Sequence, residues 1–199
     1  MLSGLVATGP DQSIVRSLNR WFAASSGRTD LAKALTVIPL YVVIAIVVLA
    51  WLFDWGGGAD RRAFLVLGVG GAALALLGNH FLADVYHRPR PFVAMPEVRL
   101  LIAHSKETSM YSDHLAVAGG LCAGLFATRR WRLAAIAVLA ALAVAIGRVG
   151  AGLHYPSDVA AGFAAGAVGF LVLVPARGVV AAIIRPIGRL EARLIDGRS

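Results

Sequence analysis

His154-Tyr155-Pro156-Ser157-Asp158 sets an imidazole and a carboxylate four residues apart, the spacing at which one turn of helix brings two side chains together. A carboxylate so placed can hold one ring nitrogen and leave the other free as a nucleophile or base. Pro156 suits the first helical position, which puts His154 just ahead of the regular helix and makes that geometry approximate. The plainer reading of such a pair is a helix cap beside a satisfied histidine. Arg148 precedes it across Val-Gly-Ala-Gly-Leu, and Arg88-Pro-Arg90-Pro-Phe92 carries two more guanidiniums on a stiffened backbone. Arginines that converge where a helix N-terminus also points make an oxyanion site, because each guanidinium offers forked donors and the first-turn amides add partial positive charge. Snorkelling to lipid headgroups is the alternative for Arg88 and Arg90, though two arginines locked between prolines fit it less well.

Ser112-Asp113-His114 adds a hydroxyl, a carboxylate and a second imidazole. Asp113 reads more simply as a cap or first-turn acid than as a direct catalyst. Phosphoester cleavage needs a nucleophile and, opposite it, a proton donor for the departing oxygen, and two imidazoles flanking an arginine-lined pocket supply both. A metal is the competing reading, since His104, His114, His154, Asp113 and Asp158 could all ligate zinc. No compact ligand motif is present and clustered arginines repel a cation, so neither metal nor other cofactor is expected. His80 and His87 have no partner that the sequence names; His80, with Asn79, falls where it could pack against the site.

The elements that must position these groups are membrane helices. Of 199 residues, 58% are hydrophobic and 15% charged, which excludes an ordinary soluble enzyme and a disordered chain and predicts an all-α, polytopic membrane bundle of a single domain over residues 1–199. The formal charge of +8 lies between apolar runs and not on a soluble basic face, so nucleic acid is not an expected partner. Cys122, alone and in an apolar run, is a packing residue. Residues 1–10 lack the basic start of a cleavable signal peptide.

Uncharged segments at 34–53, 63–83, 115–128, 133–147 and 159–176 predict five spans, and 179–184 could begin a sixth if Pro186 and the following arginines did not interrupt it. The third and fourth segments have only 14 and 15 residues, against roughly 20 needed to cross the hydrocarbon. They must therefore continue into Ser112, Asp113 and His114 at one end and Arg148 at the other, and ionisable residues there mark a site. Residues 12–24 place Ile14, Leu18, Trp21 and Phe22 at helical spacing, as either an interfacial amphipathic helix or a short surface helix would. Residues 178–195 carry Arg185, Arg189 and Arg193 as one basic stripe suited to anionic lipid.

Consecutive spans alternate direction, so Arg88, Arg90, Ser112, Asp113, His114, Arg148, His154 and Asp158 all fall at one end of the bundle. Arg61, Arg62, Arg129, Arg130, Arg132, Arg177 and Arg185 fall at the other, with Arg189, Arg193 and Arg198. The positive-inside rule makes that second end cytoplasmic and opens the site outward, against the contrary pull of Arg16, Arg20, Arg28 and Lys33.

The three ordered blocks, Arg88-Pro-Arg90-Pro-Phe92, Ser112-Asp113-His114 and Gly147-Arg148 with His154-Tyr-Pro-Ser-Asp158, resemble the signature of the type 2 phosphatidic acid phosphatase (PAP2) superfamily, within residues 79–163. The Ser-Asp-His and His-Tyr-Pro-Ser-Asp forms are similar to its bacterial undecaprenyl-diphosphatase branch. The resemblance implies that His154 attacks phosphorus, Asp158 orients it and His114 protonates the leaving oxygen, while Arg90, Arg148 and Ser112 hold the phosphoryl oxygens, with Arg88 and Asp113 beside them. It implies a lipid phosphate or diphosphate substrate, foremost undecaprenyl diphosphate, at the outer face of the cytoplasmic membrane; the rival readings are a phosphatase for another lipid phosphate (phosphatidylglycerophosphate, a polyprenyl-linked sugar phosphate or lipid A) and an anion-binding or transport protein that uses the arginines without chemistry. The chain departs from the pattern in four places: Ala83 stands where the family has lysine, Tyr111 for proline, Asp113 for glycine and Gly147 for serine. Arg88 or Lys106 is the candidate substitute for the missing lysine charge. Oligomeric state is not legible.

Overall fold

The computed structural model describes residues 9–53, 58–104 and 108–196. Lys106, Arg198 and residues 1–8 of the signal-peptide reading lie outside them, as do the side chains of Arg189 and Arg193. The regular structure among the described residues is helical, without strands: α1 Gly9–Phe22, α2 Ser26–Leu52, α3 Gly58–Val85, the single turn α4 Pro91–Ala94, α5 Asp113–Ala127, α6 Trp131–Gly150, α7 Pro156–Leu173 and α8 Arg177–Asp196. Among the described residues four helices are long and apolar enough to cross a bilayer, namely α2, α3, α6 and the run from Pro156 to Pro186, with α5 the shorter apolar fifth.

Helix α5 is hydrophobic on every side because it is wrapped on every side. Its buried residues run round the whole helix, from Leu115, Ala116 and Ala118 to Cys122, Gly124 and Leu125. Small residues let its neighbours approach to backbone contact, the common device where lipid tails remove any hydrophobic drive between helices. A methyl group added to Gly120 would lie 2.6 Å from the Ala72 nitrogen of α3, and one added to Gly162 of α7 would lie 2.5 Å from the Ser112 carbonyl oxygen. The 15 residues of α5 rise about 22 Å, short of the roughly 30 Å of hydrocarbon. Asp113 and His114 accordingly form its first turn, as the shortness of the apolar run required, and α6 likewise extends past its apolar run to take in Arg148.

The apolar run at 179–184 does not turn back to make a sixth span. Pro175 lacks a backbone donor, and the chain tightens there into one 3-10 turn, Val174–Ala176, before α8 carries on. Gly71 of α3 meets Phe170 and Gly70 meets Leu173, while Ala63 packs with Ala181 and Ile184. Helices α7 and α8 therefore descend α3 in a single direction.

Helix α1 is amphipathic as expected, but a different stripe is buried. Asp11, Val15, Asn19 and Phe22 face inward, whereas Ile14 and Trp21 are nearly half exposed. Apolar spacing alone could not find this face, because two of its four members are polar and are held by hydrogen bonds. Asn19 Nδ2 donates to the carbonyls of Arg99 at 2.8 Å and Gly150 at 2.9 Å, and its Oδ1 accepts from the Arg99 nitrogen at 2.9 Å.

Candidate active site

The site is built by a turn at the end of α6. Gly152 has φ +79°, a conformation glycine adopts without strain. The Leu153 nitrogen donates to the Arg148 carbonyl at 3.1 Å and the Gly152 nitrogen to the Val149 carbonyl at 3.0 Å, the paired bonds of a Schellman stop. The chain reverses there and brings His154 back over Arg148. Arg148 Nη2 stands 3.0 Å from His154 Nε2, and Arg90 Nη1 stands 3.4 Å from the same atom while donating to the Leu153 carbonyl at 3.1 Å. Guanidiniums can only donate, so Nε2 carries the lone pair and Nδ1 the proton.

Asp158 is the N3 residue of α7, and its Oδ2 accepts from the Tyr155 nitrogen at the N-cap at 2.8 Å, half of a capping box. Oδ2 also accepts from Ser109 Oγ at 2.8 Å and lies 3.9 Å from His154 Nδ1, beyond hydrogen-bond length. Asp158 thus caps its helix and places a negative charge beside the ring without a direct bond to it. Burial, then Arg148 and Arg90, push the His154 pKa well below its usual value, against a smaller opposing contribution from the Ser109 backbone. The imidazole is kept neutral.

Arg88 takes a different position from Arg90. Its Nη1 donates to Asp158 Oδ1 and, at 2.9 Å, to Ser157 Oγ, and its Nη2 donates to Asp11 Oδ2 at 2.9 Å. Its guanidinium carbon sits 4.2 Å from the centre of the Tyr155 ring. The first arginine of the Arg-Pro-Arg block is therefore engaged with carboxylates behind the histidine, while the second faces it; prolines on either side fix this division.

Ser112 is the N-cap of α5, fully buried, its nitrogen donating to the Asp158 carbonyl at 3.1 Å. Ser112 Oγ and Arg148 Nε are buried without a hydrogen-bond partner among the described residues. Buried donors left unmade are costly, and Arg148 lines, with Arg90, His104, Asp113, His114 and His154, one cavity of about 770 Å³. His104 Nε2 is 3.4 Å from Arg148 Nη2. Asp113 is exposed and accepts from Asn79 Nδ2 at 2.6 Å, so it braces α3 against α5. Asn79 and His80 do border the site, as do Ala83 and His87. Among the described residues no three His, Cys, Asp or Glu side chains gather as a metal site.

Two departures from the family pattern have structural reasons. Tyr111 reaches α3, where its hydroxyl donates to the Ala75 carbonyl. Gly147 lies against α2, where a Cβ would stand 2.6 Å from the Leu35 carbonyl carbon and 2.7 Å from the Thr36 nitrogen. Sequence reasoning did not find Ser109 or Asp11: a lone serine in a loop and an acid in an amphipathic first turn carry no signal of a distant partner.

The family model described as the PAP2 superfamily matches residues 64–179. The chain is 37% identical over 135 residues to undecaprenyl-diphosphatase BcrC of Bacillus subtilis (strain 168), covering 65% of this chain and 66% of that one. It is 29% identical over 142 residues to putative undecaprenyl-diphosphatase YbjG of Escherichia coli (strain K12), covering 71% and 67%. It is 26% identical over 145 residues to bacitracin transport permease protein BcrC of Bacillus licheniformis, covering 70% of each. The chain thus spans about two thirds of the length of these relatives. The crystal structure of Aquifex aeolicus LpxE superposes with a TM-score of 0.70 at 19% identity, over 87% of this chain and 99% of that one, a likeness of fold. With the three signature blocks gathered at one end of a helical bundle and the family model covering the helices that carry them, the chain is a multi-pass membrane protein of the PAP2 phosphatase superfamily.

Proposed function

We propose that the protein hydrolyses undecaprenyl diphosphate to undecaprenyl phosphate and inorganic phosphate, at the outer face of the cytoplasmic membrane, without a metal. His154 Nε2 attacks the terminal phosphorus, the bond to the bridging oxygen breaks, and His114 gives that oxygen its proton. Water then attacks the phosphohistidine, the P–N bond breaks, and His114 takes the proton from the water. Arg90, Arg148 and Ser112 hold the three phosphoryl oxygens, where preformed donors meet charge as it develops. Arg88 and Asp158 lie behind the ring and set its charge and position.

The observation that carries the reading is the convergence of two guanidiniums on the lone-pair nitrogen of a buried, neutral histidine, beside buried donors that the protein leaves unsatisfied. The relatives named as undecaprenyl-diphosphatases support the substrate. A long apolar tail suits the flank of the cavity, where Leu76 lines the wall and Leu77 and Phe81 are exposed.

Phosphate release from undecaprenyl diphosphate by purified protein in detergent micelles tests this. Wild type releases phosphate with chelator present, and His154→Ala releases none. Release by His154→Ala overturns the nucleophile, loss of wild-type activity in chelator overturns metal independence, and preference for another headgroup in a lipid panel overturns the substrate. No gradient exists in micelles, so turnover there excludes a purely transporting role.

A further inference from the structure

Helix α1 lies wholly outside the matched segment 64–179, yet it contributes a buried charge to the group behind His154. The Asp11 side chain is 9% exposed and faces Arg88, itself 11% exposed. Both carboxylate oxygens are used: Oδ1 accepts from the Ser157 nitrogen at 3.1 Å, and Oδ2 accepts from Arg88 at 2.9 Å and from the Ser157 hydroxyl. Burial alone would raise the Asp11 pKa, but the hydrogen bonds from Ser157 and Arg88 outweigh it and hold the carboxyl below its usual value. Asp11 is thus an anion at the N-terminus of α7, and Asn19 further along α1 fixes the same helix to the turn after Arg148.

Counting charge gives this contact a purpose. Attack through Nε2 leaves the phosphorylated imidazole positive, with its proton on Nδ1, and Asp158 is the carboxylate beside that nitrogen. Arg90 and Arg148 face the ring with positive groups and the Ser109 backbone favours its protonated form, so Asp158 is the negative charge placed to stabilise the cation. One guanidinium bonded to Asp158 alone would cancel its charge. Arg88 is shared between two carboxylates, and the trio keeps a net negative charge.

We infer that Asp11 is a positioning residue for phosphoryl transfer, drawing Arg88 away from full pairing with Asp158 so that Asp158 keeps its negative charge turned to His154. The inference rests on the proposed histidine mechanism. It assigns a part in the reaction to a helix that the family signature does not include.

The test measures kcat and KM for undecaprenyl diphosphate in micelles with full-length protein. Asp11→Asn keeps the size and the acceptor for Ser157 and removes the charge. Its kcat is expected to fall roughly 10- to 100-fold, the worth of one charge-assisted contact, with KM within about twofold of wild type. In an Asp158→Asn background the same change is expected to have an effect of less than about twofold, because Asp11 acts through Asp158. A wild-type kcat in Asp11→Asn, or equal losses in both backgrounds, overturns the inference, since a purely structural strut would weaken each alike. Should Asp11→Asn not accumulate folded, Asp11→Glu and Asp11→Ser carry the test: the inference expects Asp11→Glu, which keeps the charge, to hold a kcat roughly 10- to 100-fold above that of Asp11→Ser, which loses it, and equal kcat in the two overturns it. Failure of the wild type to release phosphate from any lipid phosphate overturns the proposed function and this inference together.

Discussion

Arg148 directs a guanidinium nitrogen at His154 Nε2 from 3.0 Å, so the atom proposed to attack phosphorus is the one turned towards the cation that would hold the phosphoryl group. The contact also decides how the ring responds to acid. Burial, Arg148 and Arg90 lower the His154 pKa from 6.5, and the neutral ring is the reactive form. Activity is therefore retained as pH falls through 6.5, and the acid limb of kcat/KM lies below that value. Stability moves the other way: below 6.5 the unfolded chain takes up a proton at His154 that the folded chain refuses, so folding weakens as pH falls. In Arg148→Gln one of the depressing charges is gone, the limb moves up towards 6.5, and kcat/KM drops about 10²- to 10³-fold. A pH–rate profile of both proteins checks this, and a wild-type limb at or above 6.5 contradicts it.

Asp158 joins three elements, through Ser109 of the loop, Tyr155 at the start of α7 and Arg88 after α3. Asp158→Asn keeps the shape and loses the charge beside His154 Nδ1, and kcat is expected to fall roughly 10² to 10⁴-fold, as for other carboxylates paired with a catalytic histidine. Since Asp158 lies 3.9 Å from Nδ1, a loss near the lower bound is expected. Asp158→Ala also leaves Ser109 Oγ and the Tyr155 nitrogen without this acceptor and Arg88 with Asp11 as its one remaining carboxylate, and is expected to destabilise by about 3–5 kcal/mol. Denaturation in detergent and steady-state kinetics separate the two effects. Equal stability of the Asn and Ala variants would show that the network contributes little to folding.

Gly147 shows why a signature residue can be missing without loss of the fold. Restoring serine there puts a Cβ against the backbone of Leu35 and Thr36, which cannot move aside as a side chain would. Gly147→Ser is expected to cost about 1–3 kcal/mol and to lower kcat/KM through displacement of the adjoining Arg148. Tm and activity together report it. A Tm equal to wild type means that α2 and α6 separate freely, and refutes the packing account.

How much of this was legible beforehand follows from which interactions leave a mark in the chain. The five apolar runs gave the bundle, and the shortness of two of them located Ser112, Asp113, His114 and Arg148 at the site, because hydrocarbon thickness is a fixed ruler. Gly152 and the Arg-Pro-Arg-Pro run signal local backbone geometry, which is local information. The split between Arg88 and Arg90 was not legible: each is followed by proline, and what separates them is Asp11, 77 positions from Arg88. Asn19 and Asp11 were invisible for the related reason that hydrophobic spacing reports apolar faces and is silent on a buried polar one.

Ala83 offers the most direct experiment on the anion cup. It lies on α3 facing the cavity, with Asp84 and His87 beside it, where the signature has lysine. Arg88, the candidate replacement, is held by Asp11 and Asp158, so its charge is directed behind His154 and not across the cavity. An ammonium returned at Ala83 adds a donor to the wall of the cavity that Arg148 also lines, and a partly exposed wall discounts what a charge-assisted bond would give in full. Ala83→Lys is expected to lower KM for the diphosphate by roughly three- to tenfold, with kcat unchanged or higher, and the gain fades as salt is raised. Ala83→Gln, close in length and neutral, gives no gain. Equal KM in all three proteins places the bound phosphate away from this wall of the cavity, and a lower KM in Ala83→Gln as well as Ala83→Lys assigns the effect to side-chain length instead of charge.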